Sequence, residues 1–463
     1  MILAAPFLAA VLPVVAPAAP GARGPRYVRL RLAVVAYGVA GTGEIVLDRA
    51  TGRFVRRFDT GPTSQREGWD GTHAWRADAT GMARIEGNVD QRDAIRAWSF
   101  AFARAPGRIA LARPLDVVVD PASGLVTRIV RYAGSDVDTT TLADQRTIDG
   151  LVLPFALTDT SDDGVWQATV RAVETPTRIA PAAFAPPAPP HDFSLPARTR
   201  VALEPNAGYP IVLVRVDDGP PMRFLLDTGG QNVVTADAAR RAGLQVVGTG
   251  TVGGAGPGLA AIRYAHARRV RIGAVTLRDQ PFDVVDLGGL FPFDGVVGYE
   301  LLARCAARLD LAHHAVEFVP RAGEFGAAGT TVPFVLDDRQ PQVAGALDGM
   351  PAALTVDTGD SGSAEINAWY VRARGLRERY HAVLVRGAYG GVGGMVDAYV
   401  ARARELRIGT VAVRDVPLLL TAAARSGTEA DPSVAGNVGD LVWRRFVVVF
   451  DYRAGLLRLQ PLR

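Results

Sequence analysis

Two stretches of the sequence decide the fold: RFLLDTGGQNVVT at residues 223–235 and ALTVDTGDSGSAEIN at residues 353–367. Each is an apolar run that ends in Asp-Thr-Gly. Three further motifs follow each copy in the same order: a Gly-rich segment, a segment that begins Arg-Ile-Gly, and an apolar segment that contains another glycine. These motifs occupy residues 248–258, 271–282 and 293–319 after the first copy, and residues 386–394, 407–418 and 434–459 after the second. Four motifs in one order indicate that a single structural unit has been duplicated.

The chemistry of Asp-Thr-Gly predicts what each copy does. An apolar strand places the Asp at the end of a buried row of strand hydrogen bonds. The hydroxyl of the Thr that follows can form a hydrogen bond with the other copy. The Gly lets the backbone come close and donate N–H groups to the carboxylate. Asp227 and Asp357 are therefore the functional carboxyl groups that the sequence predicts.

The two copies resemble the retropepsin and pepsin superfamily. The resemblance rests on Asp-Thr-Gly after two apolar residues, together with the distal elements Val296-Val297-Gly298 and Asn437-Val438-Gly439. It covers residues 199–463 and implies a mainly β, bilobal aspartic-protease double barrel with lobes at 199–325 and 326–463. It also implies an aspartic endopeptidase whose catalytic dyad is supported by the neighbouring residues of each motif, namely Thr228, Gly229, Thr358 and Gly359.

The resemblance further implies a mechanism without metal or cofactor. Asp227 and Asp357 would lie about 3 Å apart, where two like charges cannot both ionise, so the pair holds one proton. The ionised member acts as general base on a shared water, and the protonated member hydrogen-bonds the scissile carbonyl oxygen. The sequence leaves open which Asp carries the proton.

The Gly-rich segments Thr249–Gly258 and Gly387–Gly394 lie where this superfamily places its flaps. A flap opens to admit a peptide and closes to exclude water, and glycine allows that movement. Two such segments favour the retropepsin-like arrangement over a design with one flap. The residues predicted to contact substrate are Gly253, Gly254, Tyr389, Gly390 and Gly391.

Both copies depart from the usual pattern after Asp-Thr-Gly, where Gly230 and Asp360 replace a small Ser or Ala. Asp360 either caps a turn or raises the pKa of the dyad. The departure keeps alternatives open: a non-catalytic periplasmic peptide- or lipid-binding protein on a protease-like fold, or a factor that cuts only itself or one partner.

Residues 25–175 alternate polar and apolar residues between Asp-Gly turns, which predicts an antiparallel β-rich domain. Segments such as WDGTHAWRAD at 69–78 and DGLVLPFAL at 149–157 resemble the open-barrel, one-helix periplasmic lipoprotein carriers. The resemblance implies a lipid or acyl ligand and a helix near Asp90–Arg104. A proline-rich linker follows at 176–198 and cannot continue a ladder or helix.

Composition limits the remaining possibilities. The formal charge is +4 over 463 residues, and the arginines are scattered, which argues against a nucleic-acid partner. The single Cys305 excludes an internal disulfide and a cysteine-based metal site, and the histidines lack ligand spacing. Residues 1–24 read as a signal peptide or a disordered tail, and the signal-peptide interpretation predicts export to the periplasm. The duplication supplies both lobes, so a monomer acting on a peptide or protein substrate is expected.

Overall fold

The computed structural model describes residues 24–88, 91–96, 115–133, 136–205, 208–285, 292–424 and 430–462. Within these residues, the strands form three large sheets. One belongs to the N-terminal domain and the other two build the lobes that follow, so the expected mainly β, bilobal architecture is confirmed. In the part of the chain that the structure describes, no helix has the length and apolar character needed to cross a bilayer.

The N-terminal domain is one antiparallel meander of eleven strands, in the order β6-β5-β4-β3-β2-β1-β11-β10-β9-β8-β7. The strands are β1 (Tyr27–Ala36), β2 (Val39–Asp48), β3 (Arg53–Asp59), β4 (Gln65–Trp69), β5 (Ala74–Ala77), β6 (Ala83–Ile85), β7 (Leu115–Val119), β8 (Val126–Ala133), β9 (Asp136–Ile148), β10 (Leu151–Ser161) and β11 (Gly164–Glu174). Alternate residues of β1 are buried, as the two-residue period of a strand requires. Residues 91–96 are helical, and the rest of the helix expected at Asp90–Arg104 lies outside the described residues. The likeness to lipoprotein carriers stays a prediction.

The first lobe is a closed six-stranded barrel. Its strands run β19-β16-β20-β15-β14-β18, and β18 pairs with β19 to close the ring, while β12 and β17 extend it at the edges. The strands of this lobe are β12 (Phe193–Ser194), β14 (Ile211–Val216), β15 (Pro221–Leu226), β16 (Val233–Thr235), β17 (Val246–Val252), β18 (Ala260–Ile272), β19 (Val275–Val285) and β20 (Gly295–Val297). Two short helices complete it, α1 (Ala236–Arg241) and α2 (Tyr299–Leu302).

The second lobe repeats this barrel strand for strand. Its order is β24-β25-β30-β26-β29-β28, and β28 pairs with β24 to close it, with β27 at the edge. The strands are β24 (Gln340–Leu347), β25 (Met350–Val356), β26 (Ala364–Ile366), β27 (Val383–Gly391), β28 (Gly394–Ile408), β29 (Val411–Thr421) and β30 (Gly436–Val438), and the helices are α3 (Ala368–Ala373), α4 (Leu376–Arg379) and α5 (Asp440–Trp443). The duplication read from the sequence is therefore a duplication of one barrel.

A six-stranded antiparallel sheet joins the lobes, in the order β13-β22-β21-β31-β32-β23. Lobe 1 contributes β13 (Thr199–Ala202), β21 (Ala306–Asp310) and β22 (Ala315–Val319), and lobe 2 contributes β23 (Thr330–Asp337), β31 (Phe446–Asp451) and β32 (Leu456–Pro461). The lobes meet where β21 pairs with β31, with Leu309 opposite Val448. Both residues are buried, so the sheet and one shared apolar core hold the lobes in a set relation.

The N-terminal domain packs against both lobes. Met82 is buried within the core that the lobes share. Gly87 donates its N–H to the Leu336 carbonyl over 3.3 Å, and buried Arg84 pairs with Asp338 of lobe 2. The N-terminal domain thus packs as one body with the two lobes in this structure.

The proline-rich segment 176–198 forms a strap between these parts. Phe184 is buried, and its carbonyl accepts a hydrogen bond from the Trp75 indole over 2.9 Å. Further along, Asp192 binds the buried Arg304 guanidinium through two contacts of 2.9 and 2.5 Å. Arg304 also donates to the Thr80 hydroxyl over 2.6 Å, so one guanidinium joins the N-terminal domain, the strap and lobe 1.

This joint gives a stability prediction. Asp192→Ala leaves the Arg304 charge buried and unpaired, and we expect the free energy of unfolding to fall by roughly 3–5 kcal/mol. The matched control is Asp237→Ala, because Asp237 pairs with Arg240 and Arg241 at an exposed site. That change should cost about 1 kcal/mol or less. Urea-induced unfolding followed by tryptophan fluorescence measures both, and equal losses would contradict the role assigned to Asp192.

Candidate active site

The two Asp-Thr-Gly turns begin where equivalent strands end. Strand β15 delivers Asp227 and strand β25 delivers Asp357, each alongside a parallel partner strand. The Asp227 N–H donates to the Val297 carbonyl over 3.0 Å, and the Asp357 N–H donates to the Val438 carbonyl over 3.1 Å. Each Asp is therefore the first residue beyond a fully bonded buried ladder, as the sequence predicted.

Reciprocal hydrogen bonds between the two threonines join the turns. The Thr228 N–H donates to the Thr358 hydroxyl over 3.1 Å, and the Thr358 N–H donates to the Thr228 hydroxyl over 3.0 Å. Each hydroxyl then donates across the lobe boundary over 2.8 Å, to the carbonyl of Val356 or of Leu226. All four groups are buried and satisfied, so the turns can approach closely without an unpaired polar atom.

The glycines allow the carboxyl groups to face each other. Gly229 and Gly359 each donate a backbone N–H to the Asp of their own lobe over 2.7 Å. Each also touches the Asp of the other lobe: a β-carbon on Gly229 would lie 2.7 Å from the Asp357 carboxyl carbon, and one on Gly359 would lie 2.5 Å from an Asp227 oxygen. Any side chain at these positions would push the carboxyl groups apart.

The surroundings raise the pKa of Asp227 well above its usual range. Burial is the largest cause, followed by the negative charge of Asp357 and a hydrogen bond between the two carboxyl groups. Backbone N–H groups of Gly229 and Gly230 act in the opposite direction. A neighbouring negative charge disfavours ionisation, so Asp227 keeps its proton to a higher pH than an isolated Asp does.

Asn437 is a site residue to which sequence reasoning assigned no role. Its amide Nδ2 donates to Asp357 over 3.0 Å and to Asp360 over 3.3 Å. Asp360 also accepts the Gly362 N–H over 2.6 Å, as a residue that caps a turn does. The sequence could have pointed to Asn437, because this polar residue occupies the position of the distal element at which lobe 1 has the apolar Val296.

Two further side chains bind backbone carbonyl groups of the Asp-Thr-Gly turn of lobe 1. The buried Tyr452 hydroxyl donates to the Thr228 carbonyl over 3.0 Å. Gln340 donates to the Gly229 carbonyl over 2.8 Å. Both come from lobe 2 and both bind the turn of lobe 1, so their roles depend on the assembled lobes and could not be read from local sequence.

The two Gly-rich segments meet at their tips. Gly256 donates its N–H to the Val392 carbonyl over 2.8 Å, and Gly258 donates to the Gly393 carbonyl over 3.0 Å. The segment from lobe 1 follows β17, and the one from lobe 2 is the turn between β27 and β28. A retropepsin-like arrangement would bring two flaps together in this way, and the role of these segments as flaps stays a prediction.

The predicted flap residues take different positions. Gly253 lines the cavity described below. A β-carbon on Gly254 would lie 2.7 Å from Val392, and one on Gly391 would lie 2.8 Å from Ala255, so both glycines belong to the contact between the tips. The Tyr389 hydroxyl bonds to the Thr421 hydroxyl over 2.8 Å, and a β-carbon on Gly390 would lie 2.6 Å from the Met395 sulfur.

The N-terminal domain forms hydrogen bonds with the Gly-rich segment of lobe 1, which is the predicted flap. Flap residue Thr249 donates its N–H to the Tyr37 carbonyl over 2.8 Å, and Thr251 donates to the Asp163 carbonyl over 3.0 Å. The Tyr37 ring packs against Tyr264 with centroids 5.6 Å apart. Sequence reasoning missed this contact, because it joins parts of the chain that are more than eighty residues apart.

A cavity of about 450 Å³ is lined by the N-terminal domain and by both lobes. Its lining includes Gly229 and Gly230 of lobe 1, Arg339 of lobe 2, and Arg56 and Arg131 of the N-terminal domain. Many of the other lining residues are Arg, Asp or Glu. The acyl ligand expected from the lipoprotein-carrier resemblance stays a prediction.

Within the described ranges, no three His, Cys, Asp or Glu side chains are grouped to hold a metal ion. Cys305 is buried, and burial raises the pKa of its thiol to about 12. Its side chain therefore remains a thiol in the core at neutral pH, in agreement with the sequence interpretation.

Comparison with known proteins connects this geometry to a family. Residues 212–301 match the family model described as aspartyl protease. The aspartyl protease match runs from β14 to the start of α2 and so includes Asp227 and its distal Gly298, while lobe 2 lies beyond it. No curated protein matches the sequence. The crystal structure of an aspartic proteinase from Irpex lacteus is similar at 13% identity and a TM-score of 0.40, covering 57% of this chain and 97% of that one.

The threonine exchange gives a second prediction. Thr358→Val removes the donor to the Leu226 carbonyl and the acceptor of the Thr228 N–H, and each buried partner left unsatisfied costs roughly 1–3 kcal/mol. We expect a loss of about 2–4 kcal/mol in the free energy of unfolding. Thr330→Val, at an exposed position of β23, should change it by less than about 0.5 kcal/mol. Losses of the same size in both variants would show that the exchange does not stabilise the lobe contact.

Proposed function

We propose that the chain is an aspartic endopeptidase that hydrolyses peptide bonds with a water activated by Asp227 and Asp357. The observation that carries the proposal is the pair of carboxyl groups, each held by a backbone N–H of its own lobe and pressed against the Gly of the other lobe. The aspartyl protease match to residues 212–301 supports the same conclusion.

In the proposed reaction, the ionised carboxylate of the pair removes a proton from the water as it attacks the scissile carbonyl carbon. The protonated carboxyl donates a hydrogen bond to the carbonyl oxygen and stabilises the charge that develops there. The proton taken from the water then passes to the leaving amine, and the C–N bond breaks. The dyad returns to its starting state with one proton, so no cofactor is consumed.

The flaps and the N-terminal domain would set where the substrate lies. The flap tips touch in this structure, so they must separate to admit a polypeptide and can close over it to exclude water. The cavity reaches Gly229 and Gly230, which lie close to Asp227 in sequence, and it is also lined by the N-terminal domain. We propose that one side of an extended peptide or protein substrate enters it, and that a single chain supplies the whole site.

Substitution of the dyad tests the proposal. Asp227→Asn and Asp357→Asn each remove a group that must exchange protons, so each should lower kcat for cleavage of a peptide library by at least about 10²–10⁴-fold. Asp237→Asn, at the exposed start of α1, is the control and should retain full activity. Cleavage products are quantified by mass spectrometry.

Wild-type protein that binds peptides without cleaving them would overturn the proposal and favour a binding role. Cleavage of the chain itself, lost in the same two variants and without turnover of added peptides, would point to a self-processing factor instead.

The pH dependence gives a further prediction. Activity should rise with pH as the pair loses its first proton, because a carboxylate is then available as base. It should fall again as Asp227 loses its proton, and the falling limb should lie well above the usual Asp range near pH 4, because burial and the charge of Asp357 raise the pKa of Asp227. A profile of kcat/KM against pH measures both limbs. A falling limb at or below about pH 4 would contradict the assignment.

A further inference from the structure

The duplicated site is symmetric in its backbone and asymmetric in two side chains. Val296 on β20 lies opposite Leu225, and Asn437 on β30 lies opposite Thr355, so the two residues occupy equivalent positions of the two lobes. The residues that follow Asp-Thr-Gly are also equivalent, and they differ as Gly230 and Asp360. Lobe 2 therefore holds an amide and a carboxylate where lobe 1 holds an isopropyl group and a hydrogen.

The amide and the carboxylate act together. An Asn Nδ2 carries two N–H donors, and those of Asn437 reach Asp357 over 3.0 Å and Asp360 over 3.3 Å. The other oxygen of Asp360 accepts the Gly362 N–H over 2.6 Å, which holds this carboxylate in place. Two acceptors beside one amide require that its nitrogen, and not its oxygen, faces Asp357.

We propose that Asn437 is a positioning residue that keeps Asp357 as the ionised member of the pair and thereby places the shared proton on Asp227. A hydrogen bond donated to a carboxylate favours its charged form. Asp357 receives such a bond from Asn437 in addition to that of the Gly359 N–H. Asp227 is also bonded by two backbone N–H groups, those of Gly229 and Gly230. Val296 offers it no side-chain donor, so the Asn437 amide is a donor that has no counterpart in lobe 1.

The other charged groups near the pair do not reverse this assignment. Burial, and next the charge of Asp357, raise the pKa of Asp440 well above its usual range, so Asp440 keeps its proton to a higher pH than an ordinary Asp; Arg444 acts in the opposite direction. Burial, followed by the charge of Asp227, likewise raises the pKa of Tyr452, which stays a neutral donor below the dyad. The Asp360 charge is the one that opposes an ionised Asp357, and the Asn437 amide lies between these two carboxylates.

The catalytic meaning of this proton assignment rests on the proposed function. With the proton on Asp227, Asp357 is the general base that activates water and Asp227 is the acid that bonds the carbonyl oxygen. Asp360, which replaces the usual small residue, acts through Asn437 and does not touch the reacting atoms.

The test follows the titration of the pair by ¹³C NMR with aspartate labelled at the carboxyl carbon, and the resonances are assigned with the Asp227→Asn and Asp357→Asn variants. Asn437→Leu removes the donor at similar volume. We expect it to raise the lower titration step of the pair by about one pH unit, which is a roughly tenfold change in proton affinity. Asn437→Ser retains a donor and should restore part of the shift. Val296→Leu, at the equivalent position of lobe 1, is the volume control and should leave the step in place.

The same variants are then assayed for peptide cleavage. Asn437→Leu should move the rising limb of the kcat/KM profile upward by the same amount and leave KM within about twofold, because the proposed role of the amide is in the protonation of Asp357 and not in substrate binding. An unchanged lower titration step in Asn437→Leu overturns the inference. A shifted step in a protein that cleaves no peptide supports the proton assignment and overturns the proposed function, so the two failures are distinguishable.

Discussion

The exchange of hydrogen bonds between Thr228 and Thr358 is the contact on which the rest of the site depends. Each threonine uses its N–H and its hydroxyl across the boundary between lobes, and the buried groups on both sides are satisfied only when the lobes are joined. When the lobes are joined, the two glycines lie against the opposite carboxyl groups, and the two carboxyl groups come together. Burial of the carboxyl group, and next the charge of Asp357, raise the pKa of Asp227.

Local sequence predicted the parts of the site that depend on local rules. An apolar strand before Asp-Thr-Gly, repeated with its distal element and its Gly-rich segment, is enough to place Asp227 and Asp357 at equivalent strand ends. The same repeat predicted two barrels and two flaps. The lobe bounds and the individual catalytic roles remain predictions.

Contacts between distant segments could not be predicted in this way. The pairing of β21 with β31, the bond from Tyr452 to the Thr228 carbonyl, and the hold of the N-terminal domain on the flap depend on packing between parts that are far apart in sequence. The proline-rich strap was expected to separate domains, and in the structure it packs between them through Phe184 and Asp192. These contacts place a charged cavity beside the dyad, which no local motif indicated.

The central claim is that Asp227 and Asp357 share one proton across the boundary between the lobes. Neutron diffraction from deuterated crystals grown near pH 5 observes that proton directly. The account predicts a single deuteron between the two carboxyl groups, bonded to an oxygen of Asp227, with Asp357 bare and facing the Asn437 amide. Two bare carboxylates, or side chains separated beyond hydrogen-bond distance, would contradict it.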